Sequence, residues 1–277
     1  YWGKPGDSAP AYTANGATWT NFNLVAHMGQ SNLVDSSALR NNADRNGAHT
    51  SAAGVVGGGR GFVRGDAIGW QPNFPAAVGA NMGGGFTVEA WVNKINSGGT
   101  DGLLGMYHSG GWPYVDSFRL NTDGSDVPYV CLRRSGADAE VNAAAGGACP
   151  LNQWVHLVGV FDGSYLTFYV NGVKAGQSGY SAGAVNLTGQ SWFLGSYGDA
   201  AGYQNIRFTG LMDEVRLSSV ARGSNWVWAT HRTVASNATW QTYGAIEAAD
   251  GDWPGIFVND VAVSAGRPYA AAEVEFG

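Results

Sequence analysis

Between Phe86 and Asn93 the chain alternates Phe86, Val88, Ala90 and Val92 with Thr87, Glu89, Trp91 and Asn93. That period of two is the pattern of a half-buried strand. Strand-like runs recur at Leu24–Met28, Leu103–His108, Ser117–Asn121, Tyr129–Arg133, Trp154–Phe161, Leu166–Val170, Trp192–Gly195 and Phe208–Leu217. Inside FYVNGVKAG, Asn171-Gly172 is the strongest turn signal, because both residues tolerate the positive φ of a type I′ hairpin. Only Ser224–Val234, SNWVWATHRTV, reads as a short helix, with Ser or Asn at its start as capping chemistry. The pattern predicts an antiparallel, hairpin-rich all-β protein.

The run FTGLMDEVRL, Phe208–Leu217, holds an anomaly. Regular alternation puts Asp213 on one face with Leu211, Val215 and Leu217, and an ionised carboxylate on an apolar face needs a cation or several hydrogen-bond donors. A bound metal ion or an Arg or backbone N–H partner would meet that need. The polar stretch from Gly29 to Gly61, which contains Asp35-Ser36-Ser37, is either a second ion-site candidate or a solvated connection.

The chain of 277 residues fits one large β-sandwich domain with extra ends. Residues 1–20 suit the tail of a preceding module or an N-terminal extension, residues 21–247 the main domain, and residues 248–277 a β-hairpin extension or the start of a further module. The 43 glycines and the 13% of charged residues match many short strands and tight turns. With a net charge of −6 and scattered basic residues, nothing recommends nucleic acid or an anionic membrane as partner. No apolar run approaches the roughly 18 residues of a membrane-spanning helix. Cys131 and Cys149 favour a disulfide and hence an oxidising, extracellular setting, with two free buried thiols as the alternative.

Three blocks in order, FTVEAWVN, NQWVHLVGVFDGSYLTFYVNGVKAG and FTGLMDEVRLSSVARG, resemble the concanavalin A-like, laminin-G-like (LamG-like) jelly roll of secreted bacterial proteins. The resemblance covers about Asn21 to Glu247. Tyr1-Trp2-Gly3 resembles the tail of a short module, DUF2341, that precedes such domains, and the segment after Ala221 resembles the one that closes them. The resemblance implies two antiparallel sheets packed face to face, a structural calcium ion in many relatives, and glycans bound on the concave sheet or its rim loops. It carries Asp213 and Asp35 over as calcium-ligand candidates.

The same architecture hosts glycoside hydrolases, which need two carboxylates about 5–5.5 Å apart for retention. No Glu-x-Asp-x-x-Glu block occurs, and the five histidines show neither metalloprotease nor triad spacing. No catalytic constellation is found. What remains are aromatics in polar loops: Tyr107, Trp112 and Tyr114 in MYHSGGWPYVDS, and Tyr197, Asp199 and Tyr203 in SYGDAAGYQN. Sugar rings stack on flat aromatics while Asp and Asn accept hydroxyl protons. The sequence therefore predicts a non-catalytic extracellular or cell-surface module that binds polysaccharide or another glycan. The alternative is a structural or adhesive subunit whose β-rich termini pair with copies of itself.

Overall fold

The computed structural model describes residues 15–44, 49–63, 73–106, 116–134, 140–189, 191–196 and 207–236. Their strands are β1 (Phe22–Ala26), β2 (Thr50–Ala53), β3 (Gly58–Phe62), β4 (Asn73–Phe74), β5 (Phe86–Lys94), β6 (Asp101–Met106) and β7 (Ser117–Thr122). They continue with β8 (Pro128–Arg133), β9 (Glu140–Ala144), β10 (Trp154–Phe161), β11 (Tyr165–Val170), β12 (Val173–Gly179), β13 (Trp192–Leu194) and β14 (Gly210–Ser218), and helix α1 follows at Ser224–Ala235. One sheet runs β12-β11-β10-β5-β14-β3-β2, with β1 also on β14, and the second runs β4-β13-β6-β7-β8-β9. Every pairing between these strands is antiparallel.

The alternation read in β5 holds, since Phe86, Val88, Ala90 and Val92 all lie in the core between the sheets. Phe118 and Leu120 of β7 and Val130 and Leu132 of β8 meet them from the other sheet, and Phe86 packs edge-to-face on Phe118 with centroids 5.3 Å apart. The sheets approach so closely at Gly159 of β10 that a Cβ there would stand 2.8 Å from Val130 Cγ1. The β11–β12 turn has φ of 51° at Asn171 and 79° at Gly172, the two positive values that the sequence demanded.

The stretch Gly29–Gly61 is less irregular than its composition suggests, because it contains β2 and the start of β3. These strands are built from Thr, Ser, Ala and Gly, so they carry no apolar alternation to read. Helix α1 has Gly223 at its N-cap and no side-chain cap hydrogen bond, in place of the expected Ser or Asn cap. Its Val227 and Trp226 pack on Val158, Val160 and Tyr169, on the outer face of the larger sheet. Residues 1–14 and 237–277 lie outside the described residues, and with them the expected preceding module and tail hairpin.

Candidate functional site

The Asp213 anomaly resolves through a register shift. Pairing of β14 with β5 slips between Asp213 and Arg216, and Glu214 takes a left-handed φ of 46°. The extra residue changes the phase of the strand, so Met212, Val215 and Leu217 enter the core while Asp213 stands opposite Trp91, off the core face. Alternation alone placed Asp213 with Val215 and Leu217; the bulge separates them. Asp213 is fully buried and accepts hydrogen bonds from the Val56 N–H and the Glu214 N–H, each at 2.8 Å. Burial pushes its carboxyl up to about 6 against those hydrogen bonds.

Asp35 is tied up in the same manner. Its Oδ1 accepts from the N–H groups of Val25 (2.9 Å) and Ser37 (2.8 Å), and its Oδ2 from the Ser37 hydroxyl (2.6 Å) and the Asn41 N–H (2.8 Å). Calcium takes six to eight oxygen ligands, whereas backbone N–H donors surround both carboxylates. Among the described residues no three His, Cys, Asp or Glu side chains gather as a metal site. These surroundings do not fit a calcium ion; hydrogen-bond donors meet both carboxylates, and at Asp213 burial outweighs them.

The expected Cys131–Cys149 bridge is absent: both cysteines are free and buried. Val130 and Leu132 of β8 belong to the core, so Cys131 between them points to the outer face of its sheet, whereas Cys149 joins the core cluster. The two thiols therefore lie on opposite sides of the six-stranded sheet. Cys131 Sγ instead accepts a hydrogen bond from Arg119 Nη2 at 2.8 Å, and burial pushes its thiol up to about 12 despite that guanidinium.

That outer face is where chemistry collects. The inward set Phe118, Leu120, Val130 and Leu132 leaves Ser117, Arg119, Asn121, Tyr129, Cys131 and Arg133 facing out. On β6 the register shift between Gly102 and Leu104 sends Leu103, Leu104 and Met106 all to the core, leaving Gly102 and Gly105 as the outward positions. The strand thus presents bare backbone. One cross-strand row reads Phe193, Gly105, Arg119, Cys131, Asn142, and the next reads Arg207, Gly102, Asn121, Tyr129. This glycine-floored strip, the β6 trough, has Phe193 and Arg207 on one side and Arg119, Asn121 and Tyr129 on the other, and its glycines, Phe193, Arg207 and Asn121 are buried.

Along its second side Asn121 Nδ2 donates to the Tyr129 hydroxyl at 3.2 Å, and Arg119 Nη2 meets Glu140 Oε2 at 2.8 Å. The buried acceptors Asn121 Oδ1 and Ser117 Oγ on this face have no hydrogen-bond partner. Such atoms are costly unless something else satisfies them.

The sequence-predicted ligand residues Tyr107, Trp112, Tyr114, Tyr197, Asp199 and Tyr203 all lie outside the described residues. Their stems are described. Residues 107–115 follow directly from β6, and the stems of 197–206 also stand beside β6, where the Gly195 N–H donates to Leu103 O at 2.8 Å and Arg207 bridges Gly102. The trough residues themselves escaped the sequence reading. Their signal is Arg119 and Asn121 alternating with Phe118 and Leu120, beside a strand whose outward positions are both glycine.

This two-sheet architecture defines a class. The chain belongs to the concanavalin A-like lectin/glucanases superfamily, whose family model matches residues 72–227. Solved structures share the fold. Domain 4 of AbnA, an extracellular arabinanase from Geobacillus stearothermophilus in complex with arabinotriose, aligns with a TM-score of 0.60 at 17% identity, over 76% of this chain and 97% of that one. The binding domain of Paraclostridial Mosquitocidal Protein 1 aligns with a TM-score of 0.60 at 11% identity, over 78% of this chain and 53% of that one. The binding domain of botulinum neurotoxin serotype G does so with a TM-score of 0.58 at 12% identity, over 80% and 53%. No curated protein matches the sequence.

Proposed function

We propose that the protein is a non-catalytic, secreted carbohydrate-binding module that takes a polysaccharide or glycan in the trough over β6. The observation that carries this reading is the bare strand itself. Gly102 and Gly105 are its outward positions, flanked by Phe193 on one side and by Arg119, Asn121 and Tyr129 on the other, and the two glycines, Phe193 and Asn121 are buried. The apolar face of a sugar stacks on aromatic rings, and its hydroxyls donate to acceptors such as Asn121 Oδ1 and Ser117 Oγ. An arabinanase domain of the same fold is solved with arabinotriose, which supports carbohydrate as the ligand class.

The reading is non-catalytic because the described carboxylates near this face are committed elsewhere. Glu140 pairs with Arg119, and Asp116 accepts the Asn186 N–H. No helix among the described residues is long and apolar enough to cross a membrane, which is compatible with secretion.

A polysaccharide pull-down and glycan array of the purified chain test the reading, with Gly105→Val to place a side chain on the trough floor, Asn121→Ala to remove its acceptor and Trp112→Ala for the sequence-predicted aromatics. Retention of the wild type, weakened at least tenfold in Gly105→Val and Asn121→Ala at unchanged circular dichroism, is the expected result. Binding that ignores both trough variants would place the ligand elsewhere, and no binding to any glycan would overturn the reading.

A further inference from the structure

The outer face of the eight-stranded sheet carries a chain of ionisable groups unrelated to the carbohydrate reading. His156 Nε2 on β10 lies 3.1 Å from Glu89 Oε2 on β5, and Glu89 Oε1 lies 3.3 Å from Arg216 Nη1 on β14. Arg216 Nη2 pairs with Glu214 Oε2, and Glu214 Oε1 lies 2.8 Å from His27 Nδ1, just after β1. Helix α1 lies over one end of this chain. Its His231 ring stacks on Trp91 at 5.5 Å and 18°, and on His156 at 6.0 Å and 15°, while His156 itself stacks on Trp91 at 5.0 Å.

The two imidazoles are not equivalent. Of the pair, His156 holds the carboxylate, so a proton on its ring is matched by Glu89. Among the described residues His231 has no carboxylate within ion-pair reach, and its buried Nδ1 has no hydrogen-bond partner. The charged and titratable groups of this network and of the elements packed with α1 are Glu89 on β5, His156 on β10, Arg216 and Glu214 on β14, His27 just after β1, Tyr169 on β11, Lys174 on β12, Arg232 on α1 itself and Arg222 just before it. A proton on His231 would be buried against His156 and beside Arg232, and both carboxylates of the chain are already partnered.

We propose that the His156–His231 stack is an acid-sensitive latch, which holds α1 on the sheet at neutral pH and releases it when His231 takes a proton. Burial, then His156, then Arg232 hold the docked His231 imidazole down at about 4, against an ordinary value of 6.5. The sign follows from linkage. A base whose docked value is depressed stabilises docking only above its free value, so docking weakens as pH falls from 6.5 towards 4. The displacement corresponds to at most about 300-fold in the docking equilibrium, or about ten- to thirtyfold once the partial exposure of the ring is allowed for. Release would uncover Trp91, Val158, Val160 and Tyr169, an apolar patch that α1 otherwise shares.

Hydrogen exchange of the whole chain, read by mass spectrometry at pH 7.5, 6.0 and 4.5 and corrected for intrinsic rates, tests the latch. The expected result is a ten- to thirtyfold loss of protection in 224–235 relative to β5 and β10, abolished in His231→Phe, which keeps the stacking and removes the titration. Constant helix protection, or the same loss in His231→Phe, overturns the proposal. If that variant does not fold, the wild-type imidazole titration by NMR decides: a His231 midpoint below 6 supports the latch, and one at or above 6 overturns it.

Discussion

Arg216→Met should be among the most damaging single substitutions available on the outer face of the larger sheet. The guanidinium bridges two carboxylates, Glu89 at 3.3 Å and Glu214 through its other nitrogen. Burial alone would push the Glu89 carboxyl up, but the His156 hydrogen bond and the Arg216 charge hold it below the ordinary value, and Glu214 is held down likewise by His27 and Arg216. Removing the cation leaves Glu89 fully buried with only His156 beside it. Breaking a buried pair in this way costs about 3–5 kcal/mol, which for a domain of this size lowers Tm by roughly 6–20 °C. Glu89→Gln keeps a hydrogen-bonding side chain and should cost about 1.5–3 kcal/mol. Because the two residues touch, the double variant should be less destabilised than the sum of the singles by about 1–3 kcal/mol. Urea denaturation of the four proteins at pH 7 measures this cycle. A loss below about 1 kcal/mol for Arg216→Met, or strict additivity, would refute the reasoning. Both glutamates have depressed folded values, so their stabilisation is present above their ordinary value near 4.5 and disappears as pH falls below it.

Other outcomes follow from single contacts. Gly159→Val places a Cβ 2.8 Å from Val130 Cγ1 and 3.2 Å from Phe118 Cζ, so overpacking should destabilise by about 1–3 kcal/mol in urea titration. Asp213 has a folded value raised to about 6 from 3.8, so its contribution is complete below 3.8 and lost as pH rises through 6. The stability gap between wild type and Asp213→Asn should therefore shrink by up to about 3 kcal/mol from pH 4 to pH 7, and a pH-independent gap would count against that assignment. Saturating EDTA should leave Tm unchanged, because backbone donors surround Asp35 and Asp213. Both thiols, pushed up to about 12 and about 11, should resist alkylation at pH 8 until the chain is unfolded, when two should titrate.

The strands that could be read in advance are those whose inward residues are large and apolar, such as Trp154–Phe161, where expectation and structure coincide. Thr50–Ala53 and Glu140–Ala144 were not read, because small or exposed residues give a strand no hydrophobic period. The bulge at Glu214 was also invisible, since a one-residue insertion depends on pairing with β5 and not on local composition. For the same reason the local sequence shows no partner for Glu89, because His156 and Arg216 come from two other strands. The trough over β6 needed the same kind of information: its glycines are plain in the sequence, but which of them face outward depends on the register shift at Gly102.

The two outer faces divide the labour for an electrostatic reason. On the larger sheet Glu89 and Glu214 are each matched by Arg216 and a histidine, and α1 closes over one end of that network. A ligand entering there would have to displace the helix and separate buried ion pairs, a cost of several kcal/mol before any contact is gained. On the smaller sheet the outward side chains instead include buried acceptors with no hydrogen-bond partner at Asn121 and Ser117, beside a strand whose outward positions are glycine. Binding a hydroxyl-rich ligand there would satisfy atoms that the fold leaves unmatched. That difference predicts that substitutions at Asn121 should act on affinity more than on stability, whereas those at Arg216 should do the reverse.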